Sequence, residues 1–77
     1  MRRWVLYGTA ACHLCEQAEA LLKQAGCDFD KIDITADADL TARYGVRIPV
    51  LVDRMQDREL GWPFDLATVR NFIDAEG

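Results

Sequence analysis

At 77 residues the chain has room for one domain, near the lower end of what folds without help. Apolar residues make up 51% and charged residues 29%, which excludes a disordered or low-complexity chain. A net charge of −4 with acids and bases interspersed excludes a basic nucleic-acid-binding stripe. No linker or internal repeat divides the sequence, so residues 1–77 read as a single domain, and no segment approaches the length of a membrane span.

In chain order, "MRRWVLYGTAAC" has the outline of a lipoprotein signal. Its apolar stretch is only about eight residues and holds a glycine and a threonine, too short and too polar for that role. The run Trp4–Tyr7, ended by Gly8-Thr9, reads instead as a buried strand. From Cys12 to Ala25 the period becomes helical. Leu14, Ala18, Leu21, Leu22 and Ala25 share one face, Glu19 and Lys23 form an i,i+4 pair, and Gly26 marks the stop. Phe29 to Ile34 follows in strand phase. "TADADLTARYG" reads as a short helix with acids at its start, Arg43 at its end and Gly45 closing it. "RIPVLVD" is a strand entered through Pro49, and "DRMQDREL" a turn with a weak edge strand. Asp65 is positioned to cap a last helix whose Leu66, Val69, Phe72 and Ile73 point inward. Strands alternating with helices at this spacing predict an α/β sheet covered by helices.

Cys12 and Cys15 stand where the first apolar run becomes a helix. Three readings compete: a redox couple, half of a metal site, or two small apolar residues. A cysteine in the first helical turn meets unpaired backbone N–H groups and the positive end of the macrodipole, which favour a thiolate. We therefore expect a depressed pKa at Cys12, aided by a protonated His13 and opposed by Glu16. Residues three apart in a helix lie about 5–6 Å apart at Cβ, so a bridge there requires local distortion and is easily reduced. Cys12 is then the attacking thiol and Cys15 the resolving one. Spacing alone does not decide the matter; its place after the first strand and before the first helix carries the argument. Zinc would want four ligands, and only Cys27 remains as a third thiol. Cys27 itself reads as a partly buried small apolar residue.

"CHLC" after the first strand, "YGVRIPVLV" in the middle and "LGWPFD" before the last helix together resemble a small bacterial glutaredoxin-like protein of the thioredoxin superfamily. The resemblance covers nearly the whole chain. It implies a thioredoxin/glutaredoxin-like fold of order β-α-β-α-β-β-α around a mixed four-stranded sheet, the fourth strand weak. It implies thiol–disulfide oxidoreductase chemistry at Cys12 and Cys15, a cis Pro49 against the cysteines, and an Ile48 backbone that pairs with an extended substrate, glutathione or a protein disulfide. Gly61 matches the first of two adjacent family glycines, and Asp65 the acid that meets the glutathione amino group.

The departures from that pattern are also specific. His13 replaces the usual proline, Ala10 and Ala11 stand where a lysine is usual, Trp62 replaces the second glycine, and Pro63 is unusual. Arg47 either takes over the lysine's role toward a glutathione carboxylate or is simply solvated. Asp65 either meets a ligand or only caps its helix, and His13 either tunes the thiolate or is exposed. Trp62 is the aromatic assigned to a binding groove. The expected assembly is a cytoplasmic monomer with no tightly bound cofactor, with glutathione as reductant or ligand, and with neither nucleic acid nor membrane as partner. Two other readings stay open. One is a thioredoxin-fold module that binds a protein partner without redox turnover; the other is a thiol-ligated metal or iron–sulfur protein.

Overall fold

The structure is a computed structural model and describes residues 2–74. Four strands, β1 (Trp4–Gly8), β2 (Phe29–Asp33), β3 (Val50–Asp53) and β4 (Arg58–Gly61), form one sheet in the order β2-β1-β3-β4. β1 runs parallel to β2 and antiparallel to β3, and β3 antiparallel to β4, so the sheet is mixed. The helices are α1 (His13–Gln24), α2 (Ala38–Tyr44) and α3 (Leu66–Asp74).

Period-two alternation divides the sheet's side chains between two cores. Leu6 of β1 and its partner Leu51 of β3 face α1 and α3, where Ala18, Leu22, Phe64 and Val69 complete a buried cluster. Val50 and Val52 point the other way and pack with Ile34 and Tyr44, which α2 and the turn before it supply. β3 is therefore buried on both faces, as its uninterrupted apolar run requires.

Three sequence expectations are corrected. Cys12 is not in the first helical turn: its φ of −108° and ψ of 109° are extended, and it is the N-cap of α1. Leu14 does not join the core but is 44% exposed: it shares a face with Ala18 and Leu21, yet it stands in the first turn of α1 and belongs to neither core cluster. The second strand ends at Asp33. Ile34–Ala36 form a single 3₁₀ turn because the Asp33 side chain accepts from the N–H and hydroxyl of Thr35, turning the chain out of the sheet.

The remaining boundaries follow from local chemistry. Asp37 caps α2 by accepting from the N–H groups of Asp39 and Leu40. At the end of α1, Gly26 takes φ +73° while Cys27 N–H donates to Leu22 O at 2.9 Å and Gly26 N–H to Lys23 O at 3.1 Å. That is the Schellman arrangement, and it folds buried Cys27 back over Leu22 in the same core cluster.

Candidate functional site

The strand register decides what meets at one end of the sheet. Tyr7, next to the end of β1, pairs with Val50 at the start of β3, and Val50 pairs in turn with Gly61 at the end of β4. The Thr9–Ala11 turn, the Ile48–Pro49 segment and Trp62 therefore share that end. The Trp62 N–H donates to Pro49 O at 3.1 Å, tying the last two together. The Ile48–Pro49 peptide is cis, as the resemblance implied, and so is Trp62–Pro63.

Ala11 adopts φ 57°, a left-handed conformation that side-chain-bearing residues occupy at a cost of about 1–2 kcal/mol. It reverses the chain so that Cys12 opens α1. The Cys15 N–H, one of the helix's initial donors without an intrahelical acceptor, donates to Cys12 Sγ at 3.1 Å. Cys12 and Cys15 form a disulfide with Cα atoms 5.2 Å apart, within the usual span of such bridges. The extended backbone of Cys12 allows what two fully helical residues would resist.

The two sulfurs have different surroundings. Cys12 is half-buried, whereas Cys15 is 3% exposed and lies against the end of β1. A Cβ at Gly8 would stand 3.0 Å from Cys15 Sγ, so any larger residue there makes that sulfur give way. Gly8→Ala is expected to displace Cys15 and to slow closure of the bridge about tenfold while leaving alkylation of Cys12 within about twofold; quenched-flow thiol labelling reads both. Equal rates of bridge closure in the two proteins would contradict the packing argument.

Cys27 stands apart. It lies beyond the other end of α1, a helix of 12 residues and so about 18 Å long. Burial, and secondarily Asp28, push its thiol pKa up to about 11, so it stays protonated and unreactive near neutral pH. Among the described residues, no three His, Cys, Asp or Glu side chains gather to hold a metal ion.

Of the residues expected to bind substrate, Pro49 is buried and Ile48 half-buried at the sheet end that carries the cysteines. His13 is 94% exposed, with Nδ1 3.4 Å from Glu16 Oε2. Arg47 is exposed but held by its own chain: its guanidinium meets Glu59 Oε1 at 2.7 Å and lies over the Tyr44 ring. Tyr44 donates to Glu59 Oε2 at 2.7 Å and stacks on Tyr7, which fastens α2 to both β4 and β1. Burial and then the Glu59 hydrogen bond push the Tyr44 hydroxyl up to about 12. The Trp62 ring meets the Phe64 ring edge-on at 5.0 Å and packs on the core cluster. Asp65 accepts from the Thr68 N–H at 2.8 Å as cap of α3, and this bond holds its carboxyl below the usual range.

The space next to the sulfurs lies on the other flank, between α1 and β2. It is a cleft of about 280 Å³ that both cysteines line, with Leu6, Ile32 and the Gly8–Ala11 turn around it and Glu16, Glu19, Lys31 and Asp33 at its edges. The sequence pairs Glu19 with Lys23, whereas the structure pairs it with Lys31 at 3.3 Å, and neither Lys31 nor Asp33 stands out in the sequence. The available signal was Gly8 at the end of a strand, which marks close approach, here by Cys15.

Comparison with known proteins gives a consistent picture. A family model described as a glutaredoxin-like domain (DUF836) matches residues 3–74. The chain is 45% identical to the Northeast Structural Genomics target protein XcR50 from X. campestris, whose X-ray structure superposes with a TM-score of 0.89 over 96% of this chain and 99% of that one. It is 33% identical to a protein from Nitrosomonas europaea with a solution structure, at a TM-score of 0.73 over 92% of this chain and 89% of that one. A glutaredoxin from Archaeoglobus fulgidus, 22% identical, superposes with a TM-score of 0.70 over 97% of this chain and 89% of that one, a likeness of fold alone. No curated protein matches the chain.

Proposed function

Because the chain belongs to the glutaredoxin-like domain family, we propose that it is a thiol–disulfide oxidoreductase with Cys12 and Cys15 as its redox couple. The observation that carries this reading is the disulfide between a half-buried helix-capping cysteine and a buried neighbour. In the reduced protein the Cys12 thiolate keeps the Cys15 N–H and the start of α1 beside it, both of which stabilise negative charge.

The thiolate attacks one sulfur of a substrate disulfide. A Cys12–substrate bond forms, the substrate S–S bond breaks, and one half leaves as a thiolate. Cys15 then gives up its proton and attacks Cys12 Sγ, the second half leaves, and the Cys12–Cys15 bridge closes. The substrate gains two electrons and the protein loses two, which an external thiol restores. Glutathione is the low-molecular-weight candidate for that thiol, and Pro49 with the Ile48 backbone the surface that aligns an extended substrate. Two of the expected glutathione contacts, Arg47 and Asp65, already have partners of this chain at the surface, and glutathione serves in this proposal as reductant rather than as tightly held ligand.

The mechanism assigns different fates to the two cysteine variants. Cys15→Ser is expected to accumulate a one-to-one mixed disulfide on Cys12, seen by intact mass, and to release product at under about a tenth of the wild-type rate. A Cys15→Ser protein that turns over a dithiol-dependent protein disulfide at the wild-type rate would show that Cys15 resolves nothing.

A further inference from the structure

The cleft between α1 and β2 has a charge pattern that selects among disulfides. It opens on Cys12 and Cys15, and three carboxylates, Glu16, Glu19 and Asp33, face a single ammonium, Lys31. Lys31 is taken up by Glu19 at 3.3 Å. Glu16, whose Oε2 also lies 3.4 Å from Nδ1 of the exposed His13, and Asp33 therefore set the sign of the field beside the sulfurs. Glu16 stands over the first turn of α1, and Asp33 is fixed at the end of β2 by the N–H and hydroxyl of Thr35. At about 280 Å³ the space falls just under the ~300–1,000 Å³ of small-molecule pockets, so it admits one side chain or a short tail. Its partly apolar lining suits methylene groups, and its edge suits a cation.

We propose that this cleft is a specificity pocket for the cationic flank of a disulfide substrate: an ammonium or guanidinium carried on a short alkyl chain next to the sulfur under attack. The proposal rests on the redox reading above and deepens it. The positive group enters between Glu16 and Asp33 as the Cys12 thiolate forms its bond to the adjacent sulfur. The half carrying no such group leaves first, and closure of the Cys12–Cys15 bridge expels the half in the cleft as a thiolate. The exchange consumes the two reduced cysteines and needs no other reductant for a single turnover.

The test mixes fully reduced protein, freed of dithiothreitol, with three small disulfides: cystamine (cationic), hydroxyethyl disulfide (neutral) and dithiodiglycolate (anionic). Bridge formation is followed by acid quench and mass, and each rate is divided by that of dithiothreitol with the same compound to remove intrinsic reactivity. The expected normalised preference for cystamine over dithiodiglycolate is about tenfold at low salt, falling as ionic strength rises. In Glu16→Gln/Asp33→Asn, whose amide oxygen at residue 33 still accepts from Thr35, the preference drops to within about twofold. Asp39→Asn/Asp74→Asn, which removes the same charge from α2 and the end of α3, keeps it. A wild-type preference no larger than that of dithiothreitol, or one that the distant pair removes equally, overturns the pocket while normal reduction of hydroxyethyl disulfide leaves the redox reading standing. Failure to reduce any of the three overturns the redox reading and the pocket with it.

Discussion

Replacing Cys12 by serine is expected to abolish disulfide reduction, with a loss of about a thousandfold or more in the rate of substrate cleavage. A hydroxyl at this position stays protonated at neutral pH and cannot open a disulfide, and no other cysteine can take over. Cys15 is 3% exposed behind the Gly8 strand end, and Cys27 is buried at the far end of α1 with its thiol pushed up to about 11. The fold should be indifferent to the change, because serine is a better N-cap than cysteine and can accept the same Cys15 N–H. Cys12→Ser is therefore expected to unfold at or above the midpoint of the reduced wild type. Residual activity above about a tenth of wild type in a folded Cys12→Ser protein would move the nucleophile elsewhere.

The largest effect on stability is expected at Asp53, far from the cysteines. Its side chain is fully buried and accepts five hydrogen bonds, two from Arg3, one from Arg58 and two from the N–H groups of Met55 and Gln56. Through them it joins the segment before β1, the turn between β3 and β4, and Arg58, whose guanidinium also donates to Phe72 O in α3. Asp53→Ala leaves both guanidinium groups and two turn N–H groups without this acceptor. Breaking a buried pair in this way costs about 3–5 kcal/mol. A domain of this size holds roughly 5–10 kcal/mol in all, so Asp53→Ala should be largely unfolded by mild urea or at physiological temperature. Asp53→Asn keeps the volume and some of the acceptors and should remain folded with a lowered midpoint.

The same carboxylate gives stability a pH dependence of defined sign. The Arg3 hydrogen bonds, with smaller help from Arg58 and the two turn amides, hold its pKa well below the ordinary carboxylate value, against the cost of burial. A depressed pKa means a contribution fully present above the unfolded value of about 4 and lost as pH falls below it. Wild type should lose urea midpoint steadily between about pH 4 and pH 2, and Asp53→Asn should lose less over that window. Parallel acid profiles for the two proteins would show that Asp53 is not the group responsible.

Much of this architecture is legible in the sequence, for physical reasons. Trp4–Tyr7, the α1 stripe through Ala18 and Leu22, and the double-faced run Val50-Leu51-Val52 carry their periodicity openly, and Gly26, Asp37 and Asp65 announce helix ends through chemistry confined to a few neighbouring residues. What was not legible depends on partners distant in sequence. Asp53 ends an apolar strand and looks like the first residue of a turn, yet it is buried because Arg3 lies beside it across β1. Arg47 looked available to a ligand because nothing local shows that Glu59, twelve residues on, will accept from it. The cleft beside the cysteines joins side chains from α1 and β2, and their meeting is set by a parallel register that no local pattern encodes. Leu14 has the phase of the buried face, four residues before Ala18, but it lies in the first turn of α1, outside both core clusters, and periodicity does not show where along a helix the core ends.

The central claim is that Cys12 and Cys15 cycle reversibly between dithiol and disulfide. The most direct test is equilibration of the protein in glutathione buffers of graded poise, followed by acid quench, thiol labelling and mass measurement. The account predicts a two-electron transition at Cys12 and Cys15 with a midpoint of about −180 to −270 mV, absent in Cys15→Ser, while Cys27 stays reduced throughout. A pair that remains two free thiols at every poise, or that forms only mixed disulfides with glutathione, would contradict it.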